Sequence, residues 1–267
     1  LQGGIAKSCN TYFCTVYKRV IEKYNTPQQG IDNWRGHLTS FGLGNYLGYD
    51  LPAGSKGKIP SSKTYNAKYP NNNWYATATI SNAIGQGEVL LTPIQMANFT
   101  AAIANRGWWV RPHMIKNIQD HDTIAKAFEY KNKTSIDPKY FEPIIEGMHD
   151  VYRDGTASFL KIPDIEICGK TGTAENFKKI NGSVKQLTDH SVFVAFAPKD
   201  NPKIAIAVFV ENGYWGARWA GRIASLMIEK YIKGEITRTD MEAFVLNGSL
   251  EEEYNKPYAG KPFKINQ

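Results

Sequence analysis

Two short runs hold the residues best suited to chemistry. Gly169-Lys170-Thr171-Gly172-Thr173 follows the apolar stretch "IEIC" and sets one positive charge among small side chains. A phosphate-binding loop and a strand edge that holds an anionic acyl substrate both use such a run. The phosphate loop needs a first glycine at position 164, so that backbone N–H groups can cradle the phosphates. That residue is Asp164, whose carboxylate repels phosphate, and Ile165, Glu166, Ile167 and Cys168 suit a strand. In the strand-edge reading, lysine supplies charge, threonine hydroxyls hydrogen-bond a carboxylate, and glycine lets a substrate backbone approach. The second run, Ser8-Cys9-Asn10, is the only Ser-x-Asn in the chain. Near a helix start it can present a hydroxyl and an amide to one cleft; taken alone, it reads equally well as ordinary polar positions.

The elements that must position these runs are legible in part. Residues 4–24 read as one amphipathic helix with Ile5, Cys9, Phe13, Val16, Val20 and Ile21 as its stripe. A shorter helix is expected over 29–40, and the Gly/Pro/Ser/Asn-rich 43–73 reads as a long surface excursion. Thr92-Pro93-Ile94-Gln95 is a helix start: a cap, a proline at the first position and a capping-box glutamine, with the helix running toward Gly107. "WWVRPHMIKNI" reads as extended, and 137–153 as a helix with Phe141, Ile144, Ile145, Met148 and Val151 on its stripe.

Strands are expected over 164–174, 190–197 and 204–211. The last two are apolar on both faces, hence covered on both sides. The connection "PKDNPK" is too short for a parallel crossover, so they pair antiparallel. With a helix over 219–232 packing back, the expected fold is α/β (α+β): an antiparallel sheet sandwiched between helix layers. Residues 1–235 form the domain, and 236–267 a polar tail trailing over the surface.

The 267 residues, 42% of them hydrophobic, suffice for a sizeable core. The formal charge of +7 is scattered rather than clustered, which fits a solvated basic surface and gives no nucleic-acid footprint. The three cysteines make no disulfide framework, and no spacing suggests a metal or a cofactor. No apolar run is long enough to span a membrane. His190, at a strand start, reads as structural rather than as a base; Asp189, His113 and His121 form no ligand spacing with it. Gly85-Gln86-Gly87 is a turn, not a dinucleotide fingerprint, because position 90 is Leu90. Trp215 and Trp219 flank a glycine-rich bend and suit a groove wall or the core equally.

Ser-x-Asn followed by Lys-Thr-Gly resembles the penicillin-recognising serine enzymes, whose remaining motif is Ser-x-x-Lys. The likeness runs further, through "SCNTYF", "FGLGNYLGYDLPAGSKGKIP", "ISNAIGQGEVLLTPIQMANFTAAIANRG", "DGTAS", "GKTGTAEN", "DHSVFVAFAP" and "IAIAVFVENG". Residues 1–232 look like the transpeptidase domain of class B penicillin-binding proteins, the elongation type above all. This resemblance implies a peptidoglycan D,D-transpeptidase that is trapped by β-lactams. It makes Ser8 a proton relay, Asn10 an orienting amide, and Lys170 an electrostatic support for Ser8. Thr171 and Thr173 bind the substrate carboxylate, the Thr173 N–H is half of an oxyanion hole, and Gly172 leaves room for the substrate strand. It implies peptidoglycan stem peptide and β-lactams as ligands, and a membrane glycosyltransferase and elongation proteins as partners. Location would be the extracytoplasmic face of the membrane, anchored by an N-terminal segment absent from this chain.

The nucleophile of this family lies upstream of Ser-x-Asn. The two Ser-x-x-Lys matches, Ser55–Lys58 in a loop and Ser158–Lys161 after "DGTA", read as chance. The chain is therefore expected to be a catalytically incomplete piece whose missing upstream strands leave an unpaired sheet edge. A D,D-carboxypeptidase, a β-lactam sensor or a serine β-lactamase of the same fold stays open, as does a non-catalytic module that binds cell-wall peptide or a partner.

Overall fold

The computed structural model describes residues 1–48, 50, 53–115 and 128–254. The helix expected over 4–24 is two helices. α1 (Gln2–Ala6) ends at Lys7, Ser8 adopts a φ of 52°, and α2 (Asn10–Glu22) restarts with Cys9 as its cap. The break divides the expected stripe. Ile5 and Ile21 are buried, joined by Tyr17, whereas Val16 and Val20 stand exposed. α3 (Pro27–Ser40) begins with Pro27 in its first turn, and the Thr26 hydroxyl accepts from the Gln29 N–H. This is the proline-plus-cap arrangement that satisfies an otherwise orphaned donor.

The 43–73 excursion is not merely surface. It contains α4 (Ser62–Asn66), and it buries Leu43, Leu47, Ile59 and Tyr65. Tyr65 joins Tyr17, Ile21, Ile31, Trp74 and Ala76 in a second, smaller core. Its hydroxyl donates to Glu88 and accepts from Asn82 Nδ2 at 2.8 Å, which is how the phenol is buried at acceptable cost. α5 (Pro93–Ala104) starts as read: the Thr92 hydroxyl accepts from the Gln95 N–H, and the Gln95 side chain takes the Thr92 N–H at 3.0 Å. Of the stretch read as extended, only β1 (Trp108–Trp109) is strand, paired with β2 (Asn132–Lys133); residues 116–118 lie outside the described residues.

α6 (Glu142–Arg153) leads into the main sheet, preceded by a short 3-10 turn at Pro138–Tyr140. β3 (Cys168–Ile180), β4 (Ser183–Ala197) and β5 (Ile204–Val210) lie in the order β3-β4-β5, all antiparallel. β3 is thus an edge strand. Both β3 and β4 are longer than expected, because the polar "ENFKKINGSVKQLTD" is a two-stranded ribbon turning at Asn181 and Gly182. Its register slips between Ala174 and Asn176, where Thr188 and Asp189 of β4 stand opposite the single residue Glu175, so the bulge lies on β4. Beyond the bulge, Phe177, Lys178, Lys179, Val184 and Lys185 are exposed.

Helices α5, α6 and α7 (Arg222–Lys233) pack on the sheet, and the core between them is built on Phe193, Phe196, Ile145, Val151, Leu160 and Ile228. This is the mixed helix and antiparallel-sheet architecture that the apolar pattern implied. The stretch after α7, read as part of a surface tail, forms α8 (Thr239–Asn247) and α9 (Glu251–Tyr254) against the domain. Glu253 is wholly buried there. Residues 255–267 lie outside the described residues.

Candidate active site

Folding brings residues 162 positions apart into contact. Lys170 Nζ donates to Ser8 Oγ at 2.7 Å and to the Thr171 carbonyl at 2.8 Å. The left-handed turn at Ser8 lies where two helices meet: the Ser8 and Cys9 N–H groups close onto the Ile5 and Gly4 carbonyls of α1. Lys7 reaches past it to the Asp154 carbonyl at 3.0 Å, tying this corner to the end of α6. A straight helix would have continued past Ser8; the break instead sets its hydroxyl against β3.

On β3, Lys170, Thr171, Gly172 and Thr173 pair with Val194, Phe193, Val192 and Ser191 of β4. The root of this run is fixed by packing, since a Cβ at Gly169 would sit 2.9 Å from both the Tyr152 ring and the Val194 carbonyl. Gly172 is different. A Cβ there would meet nothing nearer than Val192 at 3.4 Å, an ordinary contact. Packing against the rest of the chain does not demand a glycine at 172, in keeping with a position that leaves space for something else.

Thr171 Oγ1 and Thr156 Oγ1 share a hydrogen bond of 3.0 Å, and Thr173 Oγ1 accepts from the Gly216 N–H at 3.1 Å. Neither the Ser-x-Asn nor the Lys-Thr-Gly motif points to Thr156 or Gly216 as a site residue. The string "DGTAS" was a visible signal for Thr156, but no sequence feature announces a backbone N–H from Gly216.

Ser8, Asn10, Lys170, Thr171, Gly172 and Thr173 all line one cleft of about 790 Å³. Its second part is apolar: Phe13, Val16 and Val20 of α2 face Trp34 and Leu38 of α3. Gly85 and Gln86 supply another wall, behind which Asn82 donates to Tyr17 and Tyr65. Neither Ser55 nor Ser158 lines the cleft. Trp215 and Trp219 also lie outside it; Trp219 is buried against Phe244 with ring centroids 5.2 Å apart. His190 sits within β4, not at its start, and its Nδ1 accepts from the Asn212 N–H at 3.1 Å. Among the described residues no cluster of His, Cys, Asp or Glu could hold a metal ion; His121 is not one of them.

Burial lowers the Lys170 pKa from 10.5 to about 8. The ammonium is therefore readily given up, which suits proton transfer near neutral pH. Because Lys170 donates to Ser8 Oγ, the hydroxyl hydrogen of Ser8 is free to point elsewhere in the cleft. The pair can pass a proton from lysine through serine to an acceptor in the cleft, and the positive end attracts an anion.

This shift has a consequence for stability. Between pH about 8 and 10.5 the folded chain holds fewer protons on Lys170 than the unfolded chain does. Stability from this group therefore rises with pH across that window, and its burial penalty is complete below it. Lys170→Met removes the penalty. The variant is expected to exceed wild type in urea midpoint at pH 7, with the gap closing as pH approaches 10.5. The difference between the two proteins cancels the titrations of the tyrosines and Cys168.

The family model of the penicillin binding protein transpeptidase domain matches residues 1–229. The chain is 35% identical over 222 residues to the peptidoglycan D,D-transpeptidase MrdA of Acinetobacter baumannii, covering 79% of this chain and 31% of that protein. Among solved structures it is similar to penicillin-binding protein 2 of Helicobacter pylori in complex with MreC, at 26% identity and a TM-score of 0.68, covering 88% of this chain and 40% of that one. It is also similar to penicillin-binding protein A of M. tuberculosis as an imipenem acyl-enzyme, at 26% identity and a TM-score of 0.65, covering 87% and 47%. The chain spans about a third of the length of the curated MrdA relatives it matches.

Proposed function

This chain belongs to the penicillin-binding protein transpeptidase family, and from that premise we propose that it forms the proton-relay and carboxylate-binding side of a peptidoglycan D,D-transpeptidase site. The observation that carries this reading is the Lys170–Ser8 contact of 2.7 Å, in one cleft with Asn10, Thr171, Gly172 and Thr173. In the proposed reaction a serine contributed from outside this chain attacks the penultimate D-Ala carbonyl of a stem peptide. The Thr173 N–H stabilises the oxyanion, Thr171 and Thr173 hydroxyls with Lys170 hold the terminal carboxylate, and Asn10 orients the acyl-side peptide. Lys170 and Ser8 deliver the proton that lets D-Ala leave as an amine. An amine of a neighbouring strand then takes the acyl group and frees the serine. β-Lactams, whose carboxylate occupies the same place, acylate that serine and stop.

Similarity to the MrdA relatives and to penicillin-binding protein 2 supports an elongation role, with residues 1–235 as the C-terminal part of the catalytic domain. The H. pylori protein was solved with MreC; partners of that kind and a membrane glycosyltransferase are proposed here on the same ground. Among the described residues no helix is long and apolar enough to cross a membrane. An extracytoplasmic location follows from the chemistry of the proposed substrate.

The test is intact mass after incubation with benzylpenicillin, on this chain and on the full-length protein. An adduct on the full-length protein alone is the expected result. An adduct on the 267-residue chain would mean that Ser55, Ser158 or another serine is the nucleophile and that the mapping is wrong. No adduct on either would remove the transpeptidase reading.

A further inference from the structure

The last described segment is tied to the strand that carries Lys170. Glu253, wholly buried on α9, accepts from Arg218 Nε and, at 3.1 Å, from Trp219 Nε1. Phe244 of α8 completes the grip, its ring tilted against Trp219 with centroids 5.2 Å apart and lying under the Arg222 guanidinium at 4.2 Å. Arg218 and Trp219 belong to the bend between β5 and α7. That bend crosses β4, where Ser191 Oγ donates to the Gly216 carbonyl at 2.9 Å and accepts from the Ala220 N–H at 3.1 Å. It ends against β3: the Gly216 N–H reaches Thr173 Oγ1, and a Cβ on Gly216 would stand 2.4 Å from the Gly172 carbonyl. The chain of contacts from Glu253 to Thr173 is continuous and has no slack at its last link.

We propose that Glu253 is a positioning residue for the substrate edge of β3, acting through the 213–221 bend to set Gly172 and Thr173. A buried carboxylate serves this purpose because it fixes a guanidinium and an indole N–H by directed bonds, whereas apolar packing alone leaves a bend free to slide. Without it, the half-buried Arg218 has lost its carboxylate beside a second cation, Arg222, and the bend moves outward to hydrate it. The coupling stands on geometry; its effect on acylation rests on the transpeptidase reading above.

The test compares Glu253→Gln with wild type in the full-length protein, with the exposed neighbour Glu251→Gln as control. Amide hydrogen exchange and the benzylpenicillin acylation constant at saturation are both read. The expected result is faster exchange in 213–221 and 168–174 together, with acylation slowed about tenfold, a misplacement effect rather than a loss of fold. Trp219→Phe, which keeps the ring and removes one bond, should shift both in the same direction by less, and carries the test if Glu253→Gln does not fold. Faster exchange confined to 239–254 would overturn the proposal, and so would a wild-type acylation constant in a loosened variant. If wild type takes up no penicillin, the transpeptidase reading falls, and the exchange pattern alone decides whether Glu253 sets the strand.

Discussion

Lys170→Met is expected to slow β-lactam acylation of the full-length protein about a thousandfold while leaving the fold intact. Under the proposed function, the variant loses both the charge that would hold a carboxylate and the proton source behind Ser8, at the 2.7 Å contact. It should nevertheless unfold at higher urea than wild type near pH 7, because burial of the ammonium is costly there. Opposite movement of stability and activity is the signature of a group kept for chemistry at the expense of the fold. Lys170→Arg separates the two contributions. It retains charge but holds its proton too tightly to pass on, so it should recover carboxylate binding without the acylation rate. Stopped-flow acylation with benzylpenicillin over a concentration series checks both variants. A Lys170→Met protein acylated within a few-fold of wild type would sink the assigned role.

The second large effect is structural. Arg238→Met should cost about 3–5 kcal/mol, because it strands a buried carboxylate. Glu229 on α7 is wholly buried, and Arg238 Nε donates to it at 2.9 Å. The same guanidinium also holds the Leu160 carbonyl at 3.1 Å, linking α7 to the turn that precedes β3. Without Arg238 the carboxylate keeps only the two donors of Thr237 among the described residues, its hydroxyl at 2.7 Å and its N–H at 3.4 Å, both on Oε1. The pH dependence identifies the cause. In wild type, burial raises the Glu229 pKa, but bonds from Thr237 and Arg238 outweigh it and hold the group below the usual carboxylate range. Wild type therefore loses stability from this group as pH falls, whereas the variant, with its carboxyl pushed upward, gains it by protonation. The deficit should narrow toward acid pH in urea titrations. A constant deficit would assign the loss to packing instead.

The parts of the fold that were legible in the sequence are those dictated by local chemistry. The Thr92-Pro93-Gln95 start needs no tertiary partner, and its bonds form as its residue types dictate. The two-faced apolar strands pair antiparallel as read, but only β4 is covered on both sides; β5 buries Ile206 and leaves Phe209 exposed. Ser8 shows the limit. Its left-handed turn leaves no mark in composition, because apolar residues continue at helical spacing on both sides of it. Val16 and Val20 fit that spacing as core residues, yet they face the cleft. The ribbon beyond Thr173 escaped because neither of its faces is continuously apolar, Phe177 and Val184 standing among lysines and amides, although Asn181-Gly182 is a strong hairpin signal. α8 and α9 escaped for a related reason. Polarity suggested a surface tail, and a glutamate becomes a core residue only when an arginine far away in sequence comes to meet it. Of the candidate site, all six residues line one cleft. Thr156 and Gly216 reach it through contacts that only the folded chain creates.

The β4 bulge opposite Glu175 has a mechanical consequence. It divides β3 into a braced length and a cantilever. From Cys168 to Thr173 the strand is clamped by α6, by β4 and by the bend at Gly216; beyond the bulge Asn176 Nδ2 still donates to Asn212 Oδ1 at 2.7 Å, and past Asn176 the strand runs on against β4. The cantilever is four residues long from Phe177 to Ile180, or about 13 Å at ~3.3 Å per residue. A regular ladder would transmit flexing of such an arm to its root as a twist. The interrupted register makes the bulge the most compliant point, so thermal bending of the ribbon is spent there, one residue past the Ala174 pairing, and Thr173 keeps its place while the arm moves.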